Sequence, residues 1–230
     1  MRSFITCMIF LFCCSLTFGQ YRRAYKKWVK ESQTDIRMIP MYGHRQNTKE
    51  QFRDEEKFLK TVLEQEGTKR AGSEHLIKLG FNYLHQNKLK TAMTRFNQAW
   101  SLDSTNTNVF WGFGGVYFRL HAYNEALRMY KLGMKVDSVN ANLITGMGAV
   151  YLSMYSENPA KKENLASAVS YLEKSYQLDS KNSSTVYKLI MGSLYSGDCE
   201  KAKKYFAECE KLEKNPVREE FRTQFKEQCK

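Results

Sequence analysis

The chain has 230 residues and a formal net charge of +12, with 42% hydrophobic, 26% charged and 13% aromatic residues, three prolines and 13 glycines. This is an ordinary globular composition for one or two domains; it excludes a chain disordered throughout, a collagen-like fibre and a disulfide-dense mini-protein. The few turn-forming residues disfavour a sandwich of short strands, so helices are expected.

Residues 1–19 read as an export signal rather than as part of a fold. Arg2 supplies the positive start, Phe4 to Leu16 the apolar run, and Thr17-Phe18-Gly19 the small residues before a cut ahead of Gln20. The run is short of the roughly 20 residues a membrane span needs. Cys13 and Cys14 lack the small preceding residue of a lipid-modified cysteine, although a retained anchor stays open as an alternative. Cleavage removes Arg2 and no acid, lowering the net charge from +12 to +11, and leaves Cys199, Cys209 and Cys229. A periplasmic or secreted location is therefore expected, with these thiols read as disulfide candidates.

Residues 20–47 form a basic, aromatic-rich arm, with Arg22, Arg23, Lys26, Lys27 and Lys30 set among Tyr21, Tyr25 and Trp28. An extended or partly helical conformation is expected. Residues 48–67 read as a capping helix: Thr48 and Gln51 suit a capping box, Phe52, Leu59 and Val62/Leu63 share a face, and Gly67 ends it.

From residue 73 a 34-residue period organises the chain. Leu102-Asp103-Ser104, Val136-Asp137-Ser138 and Leu178-Asp179-Ser180 are one tripeptide type, followed at equal distance by Asn106, Asn140 and Asn182. Gly80, Gly114 and Gly148 share a phase, and Tyr83, Tyr117 and Tyr151 follow each by three. Ala92, Ala126 and Ala168 share another, followed four residues on by Phe96, Tyr130 and Leu172. Ala202 and Phe206 continue it in a degenerate fourth copy, where Ile190 and Ser193 replace the Gly and Tyr.

These phases resemble the tetratricopeptide repeat (TPR), whose pattern is Leu-Gly, Tyr, then Ala, Phe, Ala. The repeats are 73–106, 107–140, 141–182 (with eight extra residues) and 183–216. The resemblance implies an all-α fold: a right-handed α-solenoid of about four TPR hairpins with N- and C-terminal capping helices. Small residues at the Gly and Ala phases permit close helix approach, and the Tyr and Phe phases fill the space within a hairpin. The Asp-Ser steps supply side-chain oxygens for the turns between hairpins. Residues 217–230 read as a C-terminal capping helix starting at Asn215-Pro216, with Val217, Phe221, Phe225 and Cys229 on one stripe.

The cysteine spacing narrows the pairing. Cys199 and Cys209 lie ten residues apart on one helix, about 15 Å, too far to bond. Around a turn near Asn215, Cys199 lies 16 residues before and Cys229 14 after, so antiparallel helices bring them level. A Cys199–Cys229 disulfide is expected, with Cys209 a buried thiol.

In TPR proteins the first helices of the repeats line a concave groove, so the resemblance implies a partner-binding surface at Ile77, Phe81, His85, Trp111, Gly115, Arg119, Tyr187 and Tyr195, along with Leu84, Phe118, Thr145, Ala149, Leu152 and Met191. Leu84, Phe118 and Leu152 read first as packing, whereas Phe81, Trp111, Arg119, Tyr187 and Tyr195 are types enriched at binding hot spots. The glycines of Phe110-Trp111-Gly112-Phe113-Gly114-Gly115 read either as a shallow pocket beside Trp111 or as close packing. The extra residues of repeat three read as a polar, lengthened inter-helix loop within 154–167, tolerated or functional.

Catalysis finds little support. His44, His75, His85 and His121 are scattered, and no metal-binding, nucleophile or phosphate-loop motif appears, so no enzyme, cofactor or metal is expected. Asn182-Ser183-Ser184 is a weak glycosylation match. The expected function is a scaffold or adaptor holding a peptide or helix in its groove, with no nucleic-acid partner. The alternative is a structural protein held by charge on an anionic membrane or cell-wall polymer.

Overall fold

A computed structural model describes residues 23–44 and 49–230, with the side chains of 49–52 excepted. The expected signal at 1–19, residues 20–22 and 45–47 of the arm, Thr48 and the side chain of its capping partner Gln51 lie outside the described residues. The order is α1 (23–32), two 3-10 turns (Ile36–Met38 and Pro40–His44), α2 (Lys49–Glu66), α3 (Lys69–His85), α4 (Leu89–Leu102), α5 (Asn108–Arg119), α6 (Tyr123–Val136), α7 (Ala141–Glu157), α8 (Lys162–Leu178), α9 (Ser183–Tyr195), α10 (Cys199–Glu210) and α11 (Glu219–Gln228). No strand occurs among the described residues, and no described helix is long and apolar enough to cross a membrane. The chain divides into two compact units between Glu125 and Ala126.

In the first unit α3 and α4 form a hairpin, and α5 packs against both. Thr68 caps α3, its hydroxyl accepting from the Ala71 amide, so this helix starts four residues ahead of the repeat boundary. Its turn into α4 is a Schellman-type closure: Asn87 takes a left-handed φ of 58° and the Lys88 amide donates to the Tyr83 carbonyl. His121 and Gly197 repeat that geometry at φ 54° and 72°. Between hairpins, Asp103, Asp137 and Asp179 each accept from the amide two residues on, at 3.0–3.1 Å, and Asn140 and Asn182 cap α7 and α9.

The arm is more ordered than an extended tail. Trp28, Met38 and Tyr42 are buried, and the turns at 36–44 lie on α4. Asn97 of α4 fastens them: its side-chain amide donates to the Arg37 and Ile39 carbonyls at 3.0 and 2.9 Å. Tyr42 donates its hydroxyl to Glu55 of α2, and Tyr25 meets the Tyr117 ring edge-on at 6.4 Å. Met41, Tyr42, Gly43 and His44 all have φ between 54° and 64°. A left-handed run of this kind is costly for L-residues, and the side-chain anchors around it offset that cost.

In the second unit α7 and α8 pair, α9 packs on both, and α10 closes on α9. The eight extra residues of repeat three lengthen helices rather than a loop: α7 and α8 each run 17 residues, and only four residues separate them. Thr145 lies in the core, not on a groove, where its hydroxyl sits 2.7 Å from Ser175 Oγ and 2.6 Å from Thr185 Oγ1. Three buried hydroxyls thus satisfy one another, as a low-dielectric core requires. The C-terminal helix begins at Glu219, later than Asn215-Pro216, because Asn215 Oδ1 accepts from the Val217 amide and holds 215–218 out of the helix. Phe225 still buries against the α9–α10 hairpin. Cys199 and Cys229 form a disulfide with Cα atoms 5.4 Å apart.

Candidate functional site

The glycines around α5 are shaped by packing. A methyl group on Gly80 would sit 2.5 Å from the Phe96 ring, and one on Gly112 2.3 Å from it, so the fully buried Phe96 ring lies between two first helices that must carry glycine there. One repeat on, Gly146 stands in the same relation to Tyr130, at 2.7 Å. In repeat three Gly148 faces Leu172 at 2.6 Å.

No protein-family model matches the sequence, and no curated protein does. Among solved structures, TTC0263, a thermophilic TPR protein of Thermus thermophilus, superposes with a TM-score of 0.57 at 17% identity, over 68% of this chain and 80% of that one. Pseudomonas aeruginosa PilF superposes with a TM-score of 0.50 at 15% identity, over 91% of this chain and 89% of that one. The chain has the tetratricopeptide-repeat fold.

Within the first unit of this TPR fold, Phe81 of α3 and Trp111 of α5 bring their rings together at 4.1 Å, tilted by 43°. Both are half-buried. Phe96 supports Phe81 from beneath, edge-on at 5.1 Å, so the pair sits on a packed floor rather than on mobile side chains. Gly115 leaves room beside it: a methyl there would meet Leu84 at 3.1 Å and Phe81 at 3.8 Å. Ile77 is buried under this face, while His85 and Arg119 are exposed at the C-terminal ends of α3 and α5. Arg119 donates to Asn87 Oδ1 at 3.4 Å, which ties the guanidinium to the α3–α4 turn. The result is an aromatic platform with a cation at one end.

The second-unit residues expected on the same groove go elsewhere. Tyr187 lies under α11, 5.3 Å from the Phe221 ring, where burial raises its phenol pKa. The C-terminal helix therefore occupies the surface that Tyr187 was expected to offer a partner. Tyr195, at the end of α9, pairs with Tyr155 of α7 at 5.5 Å.

These two tyrosines border a cleft that no motif announces. It is an open cleft of about 570 Å³ along α8, lined by Leu165, Ala166 and Val169, with Lys162 and Glu173 towards the start and end of that helix and Ser196 beside it. Gly192 keeps α9 close to its floor, since a methyl there would stand 3.2 Å from Val169. Residues on the second helix of a hairpin build most of this cleft, so of the expected first-helix residues only Tyr195 borders it.

Cys209 is buried and its thiol is pushed up by burial, then by Glu210, which disfavours the nucleophilic thiolate. Among the described residues no group of three His, Cys, Asp or Glu is placed to hold a metal. The Asn182 side chain is engaged at both ends, its Oδ1 accepting from the Thr185 amide and its Nδ2 donating to Asn142 Oδ1 at 3.3 Å, so a glycan on that nitrogen would compete with the Asn142 contact.

Proposed function

We propose that the protein is a non-enzymatic interaction scaffold that captures a peptide or helix of a partner protein on the first-unit face built by Phe81 and Trp111. The observation that carries this reading is the Phe81–Trp111 contact: two large half-buried rings from consecutive first helices, held by a packed floor and flanked by the exposed Arg119. Aromatic and Arg side chains supply most interface energy when they sit on such a rigid base. The signal-like residues 1–19 and the Cys199–Cys229 bond support a periplasmic or secreted site of action, where disulfides persist.

A second reading has an observation of its own. Trp28 is buried and fixes α1, while Arg23, Lys26, Lys27 and Lys30 face solvent beside Val29, which is 41% exposed. Such a basic helix suits attachment to an anionic membrane or polymer. Salt and one substitution separate the two. Capture on the aromatic face persists from about 50 mM to about 500 mM salt and is lost in Trp111→Ala; charge-driven attachment falls steeply over that range and ignores the substitution. Partner capture that survives Trp111→Ala would falsify the groove reading.

A further inference from the structure

We propose that α11 is a redox-released strap: a dithiol that reduces the Cys199–Cys229 bond detaches the helix and uncovers the aromatic surface of α9 and α10 beneath it. The device lies wholly in the second unit and does not rest on the Phe81–Trp111 reading.

The helix is poorly equipped to stay in place alone. It has ten residues, no side-chain cap at Arg218, and eight polar residues around Phe221 and Phe225. Isolated helices of that length are marginal in water. Its seat offers ring contacts and one charge contact. Phe225 stacks on Phe206 at 4.3 Å, Phe221 meets Tyr187 at 5.3 Å, and Arg222 pairs with Glu210. Beyond the last helical residue, Gln228, the next tie to the hairpin is the bond at Cys229. Ordering ten residues opposes seating, and the covalent link offsets that by confining the helix near its seat whenever it lifts off.

The two sulfurs differ in access. Cys199 opens α10 and is half-buried, whereas Cys229 is buried. An incoming thiolate therefore attacks Cys199 Sγ: a new S–S bond forms there, the old one breaks, and Cys229 leaves as a thiolate that takes a proton from water. The second thiolate of the dithiol then attacks its partner sulfur in the mixed disulfide and expels Cys199. The dithiol is oxidised by two electrons and the protein's bond is reduced. A protein disulfide of suitable potential runs the exchange backwards and refastens the helix. Cys209 takes no part, since it is fully buried and lies ten residues from Cys199 along α10, about 15 Å away.

Seat and bond are thermodynamically linked. Whatever holds α11 on Phe206 and Tyr187 also holds Cys229 near Cys199, raises the effective concentration of the thiol pair and makes the bond harder to reduce. By the same linkage, a ligand of the uncovered Tyr187–Phe206 surface favours the reduced form.

The whole chain, equilibrated in dithiothreitol buffers of graded potential, tests this beside Phe225→Ala and Phe221→Ala, with circular dichroism to check that both variants fold. Alkylation and peptide mapping read the fraction reduced; hydrogen exchange and iodination read the helix. In the reduced wild type, exchange at 219–228 should rise at least ten-fold and Tyr187 should become iodinated, while α7 and α8 keep their protection and reoxidation restores the starting state. Phe225→Ala should lower the effective concentration of the thiol pair at least ten-fold, moving the midpoint about 30 mV towards easier reduction. Phe221→Ala should move it in the same direction. The proposal is overturned if α11 stays protected after reduction, if neither substitution moves the midpoint, or if excess dithiothreitol leaves the bond intact in the folded chain.

Discussion

Gly112 and Phe96 are matched across two hairpins: the Phe96 ring fills the space where any side chain at Gly112 would begin, 2.3 Å from its first carbon. The repeat therefore encodes a ring and its vacancy in different hairpins, 16 residues apart. Alanine at 112 gains about 1 kcal/mol of helix propensity but must displace a fully buried ring, an overpacking cost of about 1–3 kcal/mol. With so close an approach the upper part of that range applies, so Gly112→Ala should lower stability by about 1–2 kcal/mol. Gly115→Ala meets only the tip of Leu84, at 3.1 Å, and should be neutral or slightly stabilising. Equal urea midpoints for the two variants would show that the ring does not set the spacing.

The arm should come loose without Asn97. Asn97→Ala strips the Arg37 and Ile39 carbonyls of their donor, and leaving buried polar groups unpaired costs about 1–3 kcal/mol. Trypsin should then cut after Arg37 at least ten-fold faster, with the α3–α4 hairpin still resistant. Unchanged cleavage would mean that Trp28 and Tyr42 suffice to hold the arm.

Acid should loosen the same segment. Hydrogen bonds from Arg37 hold the Asp35 carboxyl below its ordinary 3.8, against the opposing effect of burial. A carboxylate depressed in the folded state stabilises above its unfolded value and loses that contribution as pH falls through its folded value. Arm protection from hydrogen exchange should thus be constant above about pH 4 and decline below it. In Asp35→Asn the decline should be weaker, and an identical profile in both proteins would remove Asp35 as the cause.

Breaking the disulfide should act locally. Cys229→Ser opens a loop with a sequence separation of 30, worth about 3–4 kcal/mol in the chain-entropy account. Exchange at 219–228 should rise by orders of magnitude and Tyr187 should become accessible to iodination, with α3–α5 unaffected. Protection of α11 in the variant would show that Phe221 and Phe225 anchor it unaided.

The repeats were legible because their spacing is a packing requirement: at the phase shared by Gly80, Gly114 and Gly148, a side chain on Gly80 would meet Phe96 and one on Gly148 would meet Leu172. The turns were legible for a similar reason, since Asp103, Asp137 and Asp179 close the same Asx geometry each time. The arm was not, because Asn97 carries a residue type that usually faces water, and only its distant carbonyl partners reveal otherwise. Repeat three misled by length: eight added residues read as a loop, but helical hydrogen bonding absorbed nearly all of them. Of the residues expected on a groove, Phe81 and Trp111 come together because they lie on neighbouring first helices. The fate of Tyr187 could not be read, because its cover, Phe221, depends on the path the chain takes back along α10.

The anchoring of the arm has a temporal consequence. Asn97 follows Arg37 by 60 residues, and Tyr117, which meets Tyr25, follows later still. A polypeptide made from its N-terminus therefore carries its basic, aromatic arm with only the Tyr42–Glu55 contact to hold it until α4 and α5 have emerged behind it. The arm, made before the helices that anchor it, is among the last parts of its unit to settle, and throughout that interval it is open to whatever machinery meets the nascent chain.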